Sequence, residues 1–265
     1  MLTTTDKVIY ALRNWIAVLL QVAIYPFTAG SQMRRQAFRL AREGLRHNLP
    51  IVSLASLVNE RLSDADKIVL QAVPERVHNC TIFELLALGA LARAVSPSLS
   101  LEIGTYDGRS ALAIATNCAP GARVVTMNLP PTYLIEHPEK KIVTDAALSS
   151  KVRSGERWFG TEQAQIIEQV FADSLEFDFG KIGNPQLIFI DGAHDEKSVW
   201  SDTKTALRIV DRRNGVIIWH DARDFGIRPV LLQLHREGYP VCIIEHTNMA
   251  VLRFVDSKAR NIGDS

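Results

Sequence analysis

The stretch that decides the fold is LSLEIGTYDGRSALAIATN, residues 99–117. An apolar run from Leu99 to Ile103 ends at Gly104, and an alanine-rich stretch from Arg109 to Asn117 follows. An apolar run that stops at a glycine and leads into a helical pattern predicts a strand, a tight turn and a helix. The segment is therefore interpreted as the opening of a β-α unit.

Six further segments have the pattern of strands, and helical patterns separate most of them. The strand candidates are residues 123–127, 167–172, 186–190, 216–219, 241–245 and 250–254. Helices are predicted for Ile82 to Val95 and Glu196 to Val210, and such alternation predicts a mostly parallel sheet. Only His246 to Met249 separates the last two strands, too few residues for a crossover, so one strand is antiparallel. The fold class is α/β, with a seven-stranded sheet.

Residues 1–75 are predicted to form an N-terminal helical segment without strands, and residues 76–265 form the α/β domain. Helical periodicity runs through Val8 to Ala23, Ala37 to Leu45 and Ser63 to Val73. The apolar stretch Trp15 to Phe27 is shorter than the roughly 20 residues that cross a bilayer. As a cleaved signal it is disfavoured, because its leading region is long and contains Asp6.

Two interpretations of this segment stay open. In one, an apolar helix packs on the body or on a second subunit, giving a homo-oligomer. In the other, residues 8–46 make peripheral contact with a membrane, with the basic residues between Arg34 and Arg46 facing anionic headgroups.

Charge and cysteine content narrow the class of partner. Residues 1–50 contain seven basic and two acidic residues, whereas the rest contains 23 and 27. An acidic body without a basic, aromatic-rich stripe argues against nucleic acid as a partner. Cys80, Cys118 and Cys242 are too far apart for a zinc motif or a disulfide framework. A cytoplasmic protein is therefore predicted, at the inner face of a membrane if residues 8–46 meet lipid.

The loop after residues 99–103 is predicted to hold a ligand. In an open parallel sheet, ligands bind at the carboxyl ends of the strands. Gly104 allows a sharp turn, Gly108 opens the next helix, and the amide-rich start of that helix favours a carboxylate. The spacing is not G-x-G-x-x-G, which argues against a dinucleotide.

Several motifs carry a family resemblance. LEIGTYDGRSALAIA resembles the first motif of class I S-adenosylmethionine (SAM)-dependent methyltransferases. IFIDGAHDEKSVWSDTKTALRIVDRRNGVIIWHDARDFG, with FADSLEFDF before it and HTNMAVLRF after it, resembles the family-24 methyltransferases, whose relatives include macrolide sugar O-methyltransferases. The resemblance covers residues 82–255. It implies a Rossmann-like class I sheet, SAM as cofactor, and metal-assisted O-methylation of a small hydroxylated acceptor such as a sugar.

The resemblance also implies where the donor is held. Glu102 is expected to take the amino group of SAM, and Asp173 with Ser174 to meet the adenine, unless these two only cap a helix. Asn128 stands where the family has an acidic residue on the ribose, so charge-assisted bonds are lost and weaker donor binding or another nucleoside ligand is expected. The residues expected to contact the donor are Glu102, Gly104, Thr105, Tyr106, Gly108, Ser110, Asn128, Asp173, Ser174 and Asp191.

A divalent cation is predicted at the neighbouring strand ends, where carboxylates can hold it. The resemblance points to Asp191 and Asp221 as ligands, with Mg²⁺ or Mn²⁺ as the ion. His220 stands where relatives have Asp or Glu, and imidazole suits Mg²⁺ poorly but Zn, Fe or Ni better. His220 is therefore kept in the metal set, as a ligand or as a group behind the ligands.

His194 is the candidate catalytic base, because O-methylation requires removal of the hydroxyl proton and imidazole titrates near neutral pH. The alternative is a helix-start residue with an ordinary hydrogen bond. Residues 129–160 are predicted to form a lid or substrate loop. Asn128 and His220 also leave open a non-methylating enzyme or a catalytically degenerate nucleoside-binding protein on the same fold.

Overall fold

The computed structural model describes residues 49–137 and 153–254. The chain divides into two units, Met1–Leu49 and Pro50–Ser265, and the sheet belongs to the second. The predictions for residues 8–46 and the middle of the proposed lid, residues 138–152, lie outside the described residues. Within the described ranges, no helix has both the length and the apolar character needed to cross a bilayer.

The domain is built on an eight-stranded sheet with the order β1-β7-β8-β6-β5-β2-β3-β4. Neighbouring strands are parallel except at β8, which is antiparallel to β6 and β7. The predicted mostly parallel sheet with one antiparallel strand is confirmed. The strands are β1 (Ile51–Val52), β2 (Leu99–Ile103), β3 (Arg123–Asn128), β4 (Ile167–Phe171), β5 (Leu187–Ile190), β6 (Val216–Trp219), β7 (Cys242–Ile244) and β8 (Ala250–Arg253).

The central strands form where the sequence is continuously apolar. β5 and β6 each consist of four buried apolar residues, LIFI and VIIW. Such runs are typical of parallel strands that are covered on both faces, whereas a half-exposed strand would alternate with polar residues. The central strands are therefore held by packing on both faces. The loops that follow β2, β5 and β6 start from the buried ends of these strands.

Helices lie between the strands, and their ends follow capping chemistry. A capping box between Thr81 and Glu84 begins α2, and the Asp195 side chain accepts from Ser198 N at 3.0 Å at the start of α5. α2 and α3 have the predicted bounds. The helices are α1 (Leu54–Val58), α2 (Ile82–Val95), α3 (Arg109–Asn117), α4 (Tyr133–Glu136), α5 (Glu196–Ile209) and α6 (Ile227–Arg236), with 3₁₀ turns at Glu156–Trp158, Glu162–Gln165 and Phe179–Lys181.

The helix predicted over Ser63 to Val73 is wrong, as is the absence of a strand before residue 76. β1 pairs in parallel with β7 and raises the strand number from seven to eight. Residues 66–73 are coil with a bend at Ala72, and several of their backbone groups bond to side chains of α3 instead of to one another. Asn117 accepts from Val69 N at 2.9 Å and donates to Val69 O at 2.8 Å, and Arg109 donates to Ala72 O at 2.8 Å.

Candidate functional site

The carboxyl ends of four strands meet at one edge of the sheet. β2 lies between β3 and β5, and β5 pairs with β6, all in parallel. The residues that end or follow these strands, Gly104, Asn128, Asp191 and His220, therefore lie along the same edge. Ligands bind at this edge in open α/β sheets.

Gly104 is the point at which the loops after β2 and β5 touch. Its φ of 103° lies in the left-handed region, and a Cβ atom here would lie 1.9 Å from the backbone oxygen of Asp191. The N–H of Gly104 donates to Met127 O at 2.9 Å, and the N–H of Asp191 donates to Ile103 O at 2.8 Å. Glycine is therefore required for close packing of the donor loop, defined here as residues 102–108, against the strand end that carries Asp191.

Asp107 ties the donor loop to the segments before α2 and after residue 152. Its carboxylate is almost fully buried and accepts from Asn79 Nδ2 at 3.0 Å and from Arg157 Nε at 2.9 Å. Tyr106 OH donates to Val77 O at 3.2 Å. These contacts hold the donor loop in place. The sequence alone did not predict this role for Asp107.

Glu102 lies beneath the donor loop and is fully buried. One carboxyl oxygen accepts from Ser110 Oγ and the other from Thr126 Oγ1, while Thr105 Oγ1 lies 2.7 Å from Thr126 Oγ1. Burial raises the pKa of Glu102 to about 8, against the two hydroxyl bonds that lower it. The carboxyl is therefore mostly protonated at neutral pH, and a contact with the amino group of SAM stays a prediction.

The residues expected near ribose and adenine also have local partners. Asn128 Nδ2 donates to Ser154 Oγ at 3.1 Å. The Asp173 carboxylate accepts from Tyr133 OH at 2.7 Å and from Leu175 N at 2.9 Å, and the latter bond is a turn contact. The Ser174 side chain bonds to buried Asp202, whose pKa is raised to about 6 by burial. Contact of Asn128, Asp173 and Ser174 with a nucleoside stays a prediction.

His220 lies among three carboxylates, although the sequence suggested two. Its Nδ1 lies 3.0 Å from Asp191 Oδ1 and 3.2 Å from Asp221 Oδ2, and its Nε2 lies 3.3 Å from Glu84 Oε2. The residue is 7% exposed and Glu84 is 3% exposed. Strand order alone brings Asp191, His220 and Asp221 together, but Glu84 comes from the first turn of α2.

His194 is hydrogen-bonded to Asp221, with Nε2 and Oδ2 2.9 Å apart. The other Asp221 oxygen accepts from Asn248 Nδ2 at 2.8 Å. Asp221 has a φ of 47°, which costs a non-glycine residue about 1 kcal/mol or more and persists only where surrounding contacts hold it. Such a held, sparsely populated conformation is common at functional sites.

The charges in this cluster require a balancing cation. Burial raises the pKa of Asp221, but the His194 and His220 rings lower it well below its usual range, so Asp221 is ionised. Burial likewise raises the pKa of Glu84, and contacts with His220, Thr81 and Asn248 lower it to about 2. Burial lowers the pKa of His220, yet the charge of Asp191 raises it overall. Either a doubly protonated His220 or a divalent cation can neutralise these carboxylates.

The orientation of His220 favours the cation. Nδ1 is buried and forms no hydrogen bond with any described residue, although two carboxylate oxygens lie within reach. One ligand atom each from Asp191, His220 and Asp221 lies within 4.8 Å of the others. Adjacent ligands of a six-coordinate dication with bonds near 2.1 Å lie about 3 Å apart, the spacing seen at Nδ1. These residues therefore fit a metal ion.

The sequence alone did not identify Glu84, Asn248 and Thr126 as residues of this site. A role for Glu84 at the site was not predicted because the pattern T-x-x-E before an apolar run is fully explained by a capping box at the start of a helix. Its second task, the bond to His220, joins residues 136 positions apart. Asn248 lies in the short β7–β8 connection and was read only as part of a hairpin turn.

This chain is similar to known methyltransferases in sequence pattern and in fold. Residues 101–222 match the family-24 methyltransferase model, described as a methyltransferase domain. Cofactor-bound Rv0187 from MTB has 21% identity and a TM-score of 0.50, with 70% of this chain and 86% of that chain covered. The Bacillus cereus O-methyltransferase in complex with SAH has 17% identity and a TM-score of 0.46, with 92% and 99% covered. TomG, an O-methyltransferase of tomaymycin synthesis from Streptomyces achromogenes in complex with SAM, has 19% identity and a TM-score of 0.46, with 64% and 78% covered.

The family match spans the donor loop and the strand ends that carry Asp191, His194, His220 and Asp221. The likeness to Rv0187 shows the shared fold. Over residues 101–222 this chain is similar to the family-24 methyltransferases, and its α/β domain has the Rossmann-like fold of that structure.

Proposed function

We propose that this protein transfers the methyl group of SAM to a hydroxyl group of a small acceptor of the sugar class, with assistance from a divalent cation. The observation that carries the proposal is the His194–Asp221 hydrogen bond beside the Asp191 strand end that packs on the donor loop. It sets a candidate base next to the edge where a donor would bind. The match of residues 101–222 to a methyltransferase family model supports SAM as the donor.

The donor is proposed to lie along the loop after β2. The first amides of α3 favour the SAM carboxylate, since the start of a helix carries partial positive charge. Asn128, after β3, is proposed to meet the ribose, and Asp173 with Ser174 the adenine. Ser110 and Thr126 hold Glu102 in place beneath this surface.

His194 is proposed as the base for proton removal. Because the ionised Asp221 can only accept, the facing Nε2 carries the proton and Nδ1 is the nitrogen that takes a proton from the acceptor. Asp221 then stabilises the resulting imidazolium. In the overall step the methyl C–S bond breaks, a methyl C–O bond forms, the hydroxyl proton goes to His194, and SAM becomes S-adenosylhomocysteine.

The cation would be held by Asp191, His220 and Asp221. When bound, such an ion supplies Lewis acidity that lowers the pKa of an acceptor hydroxyl. Asp191 and Asp221 supply the oxygen ligands, and His220 supplies nitrogen. Asp221 would then contact both the ion and His194, coupling the position of the base to that of the acceptor.

A second candidate is a nucleoside-binding protein that does not transfer methyl groups. Two observations favour it: the uncharged Asn128 at the expected ribose position, and Glu102, whose pKa of about 8 leaves it mostly neutral. Both features reduce the negative charge that could attract the positively charged SAM. The two candidates differ in turnover and not in fold.

Titration calorimetry with SAM tests the proposal, followed by detection of S-adenosylhomocysteine with a panel of hydroxylated sugars and catechols. We expect saturable SAM binding below about 1 mM and product formation with at least one acceptor when divalent metal is present. Asp191→Ala should abolish the metal-dependent turnover. Absence of SAM binding at about 1 mM contradicts the proposal, and binding without turnover on any acceptor supports the second candidate.

Asn128→Asp is expected to tighten SAM binding about five- to tenfold, because a charged acceptor makes stronger hydrogen bonds to hydroxyl groups than an amide does. Ser154 Oγ can donate to the new carboxylate, so the local contact survives. Calorimetry on the two proteins measures the change, and Asn128→Ala serves as the control that removes the side-chain contact. Weaker binding by Asn128→Asp contradicts the assignment of Asn128 to the ribose.

A further inference from the structure

We infer that Glu84 fixes His220 as an imidazole ligand, so that the site takes a transition-metal dication such as Mn²⁺ or Co²⁺ in preference to Mg²⁺. This inference rests on the proposed function, because it concerns the same cation. It adds a residue outside the matched segment, since Glu84 precedes residue 101. Glu84 is a positioning residue, and it acts through His220.

The contact between His220 and Glu84 sets which ring nitrogen carries the proton. Nε2 lies 3.3 Å from Glu84 Oε2. An ionised carboxylate only accepts hydrogen bonds, so a proton lies on Nε2, and Nδ1 is the nitrogen whose lone pair a cation would take in place of a second proton. A histidine that binds a metal through one nitrogen usually donates through the other to a carboxylate, which orients the ring and increases its basicity.

Glu84 itself is held on both oxygens. Oε2 accepts from Thr81 N at 2.7 Å and from Thr81 Oγ1 at 3.0 Å, and Oε1 accepts from Asn248 N at 2.8 Å. At 3% exposure it has little room to turn toward the sheet edge. Glu84 is thus fixed behind the ring, and Asp191 and Asp221 lie on the other side.

Nδ1 of His220 faces two carboxylate oxygens without a hydrogen bond to either of them. Nδ1 is buried, forms no hydrogen bond within the described residues, and lies 3.0 Å from Asp191 Oδ1 and 3.2 Å from Asp221 Oδ2. An aligned N–H would bond to one of these oxygens. The spacing instead matches adjacent ligands around one ion, as noted above.

This donor set determines the class of metal. Mg²⁺ prefers oxygen ligands in near-ideal octahedral geometry, and imidazole nitrogen favours first-row transition metals. One nitrogen with two carboxylate oxygens therefore discriminates against Mg²⁺. His220 sets the discrimination, and Glu84 maintains it.

Metal titrations of the full-length, chelator-treated protein test the inference, with Mn²⁺ and Mg²⁺ followed by calorimetry and Co²⁺ by its visible absorption. We expect Mn²⁺ to bind at least about tenfold more tightly than Mg²⁺, and Co²⁺ to develop ligand-field bands. H220D should shift the preference toward Mg²⁺. Equal affinities for Mn²⁺ and Mg²⁺, or an unchanged preference in H220D, would overturn the inference.

The role of Glu84 is tested by E84Q, which is expected to weaken Mn²⁺ and Co²⁺ binding about 10- to 100-fold. In the H220D background the same change should have little further effect, which a purely structural role for Glu84 would not produce. T81V is the matched control: it removes the hydroxyl bond to Glu84 Oε2 but keeps the bond from the backbone N–H of residue 81 and the carboxylate that faces His220, so Mn²⁺ affinity should fall far less than in E84Q. A folded E84Q protein with unchanged Mn²⁺ affinity would refute the role of Glu84.

SAM calorimetry on the same samples separates this inference from the proposed function. SAM binding without metal selectivity overturns the inference and leaves methyl transfer standing. Selective Mn²⁺ binding without SAM binding overturns the proposed function and leaves the donor set assigned. If E84Q does not fold, the wild-type and H220D preferences still decide the metal class.

Discussion

Gly104→Ala is expected to lower the free energy of unfolding by roughly 3 kcal/mol or more and to abolish SAM binding. Alanine in the left-handed region costs about 1–2 kcal/mol. The new Cβ would in addition lie 1.9 Å from Asp191 O, and because this atom is backbone it can move only if the β5 strand end moves. Overpacking of this kind adds about 1–3 kcal/mol. Denaturant unfolding measures the loss, and calorimetry measures donor binding.

Gly121→Ala is the matched control. Gly121 also has a positive φ, 81°, but a Cβ there has no neighbour within 4 Å. It therefore reports the conformational cost alone, about 1–2 kcal/mol. Equal losses in the two variants would show that contact between the two loops does not constrain residue 104.

His194→Ala is expected to reduce kcat by about 10²- to 10⁴-fold while the affinity for SAM stays within about twofold, because general-base catalysis contributes on this scale. Its ring is hydrogen-bonded to Asp221, which lies outside the donor loop, so donor binding is expected to change little. Single-turnover formation of S-adenosylhomocysteine with a saturating acceptor measures the effect. His246→Ala, at an exposed histidine, is the control. A His194→Ala enzyme with wild-type kcat would exclude this base.

The sheet could be predicted because its central strands are continuous apolar runs between helical patterns. Periodicity failed at residues 63–73, where apolar side chains such as Ile68 and Leu70 pack on the core from coil. Asn117 and Arg109 satisfy the backbone of that coil through contacts 36 or more residues apart in sequence. A local window contains neither partner, so the pattern was mistaken for a helix.

The part of the candidate site that lies at the ends of strands could be predicted from the sequence. Asp191, His220 and Asp221 follow neighbouring parallel strands, so the order of the sheet brings them together without knowledge of side chains. Glu84 could not be predicted in the same way, because it enters from a helix whose position over the sheet depends on packing. The pKa of Glu102 was also inaccessible, since it depends on complete burial and on the two hydroxyl groups that contact it.

Arg109 anchors the coil formed by residues 72–80 to the interior of the domain. Its guanidinium is 1% exposed and donates to the carbonyl groups of Ala72, Val73 and Cys80. Detaching residues 72–80 would leave a buried cation without acceptors, at a cost of several kcal/mol. Local opening of this coil is therefore disfavoured. Because Tyr106 OH also donates to Val77 O, the donor loop is anchored to the same segment, so loosening of this coil would also loosen the loop.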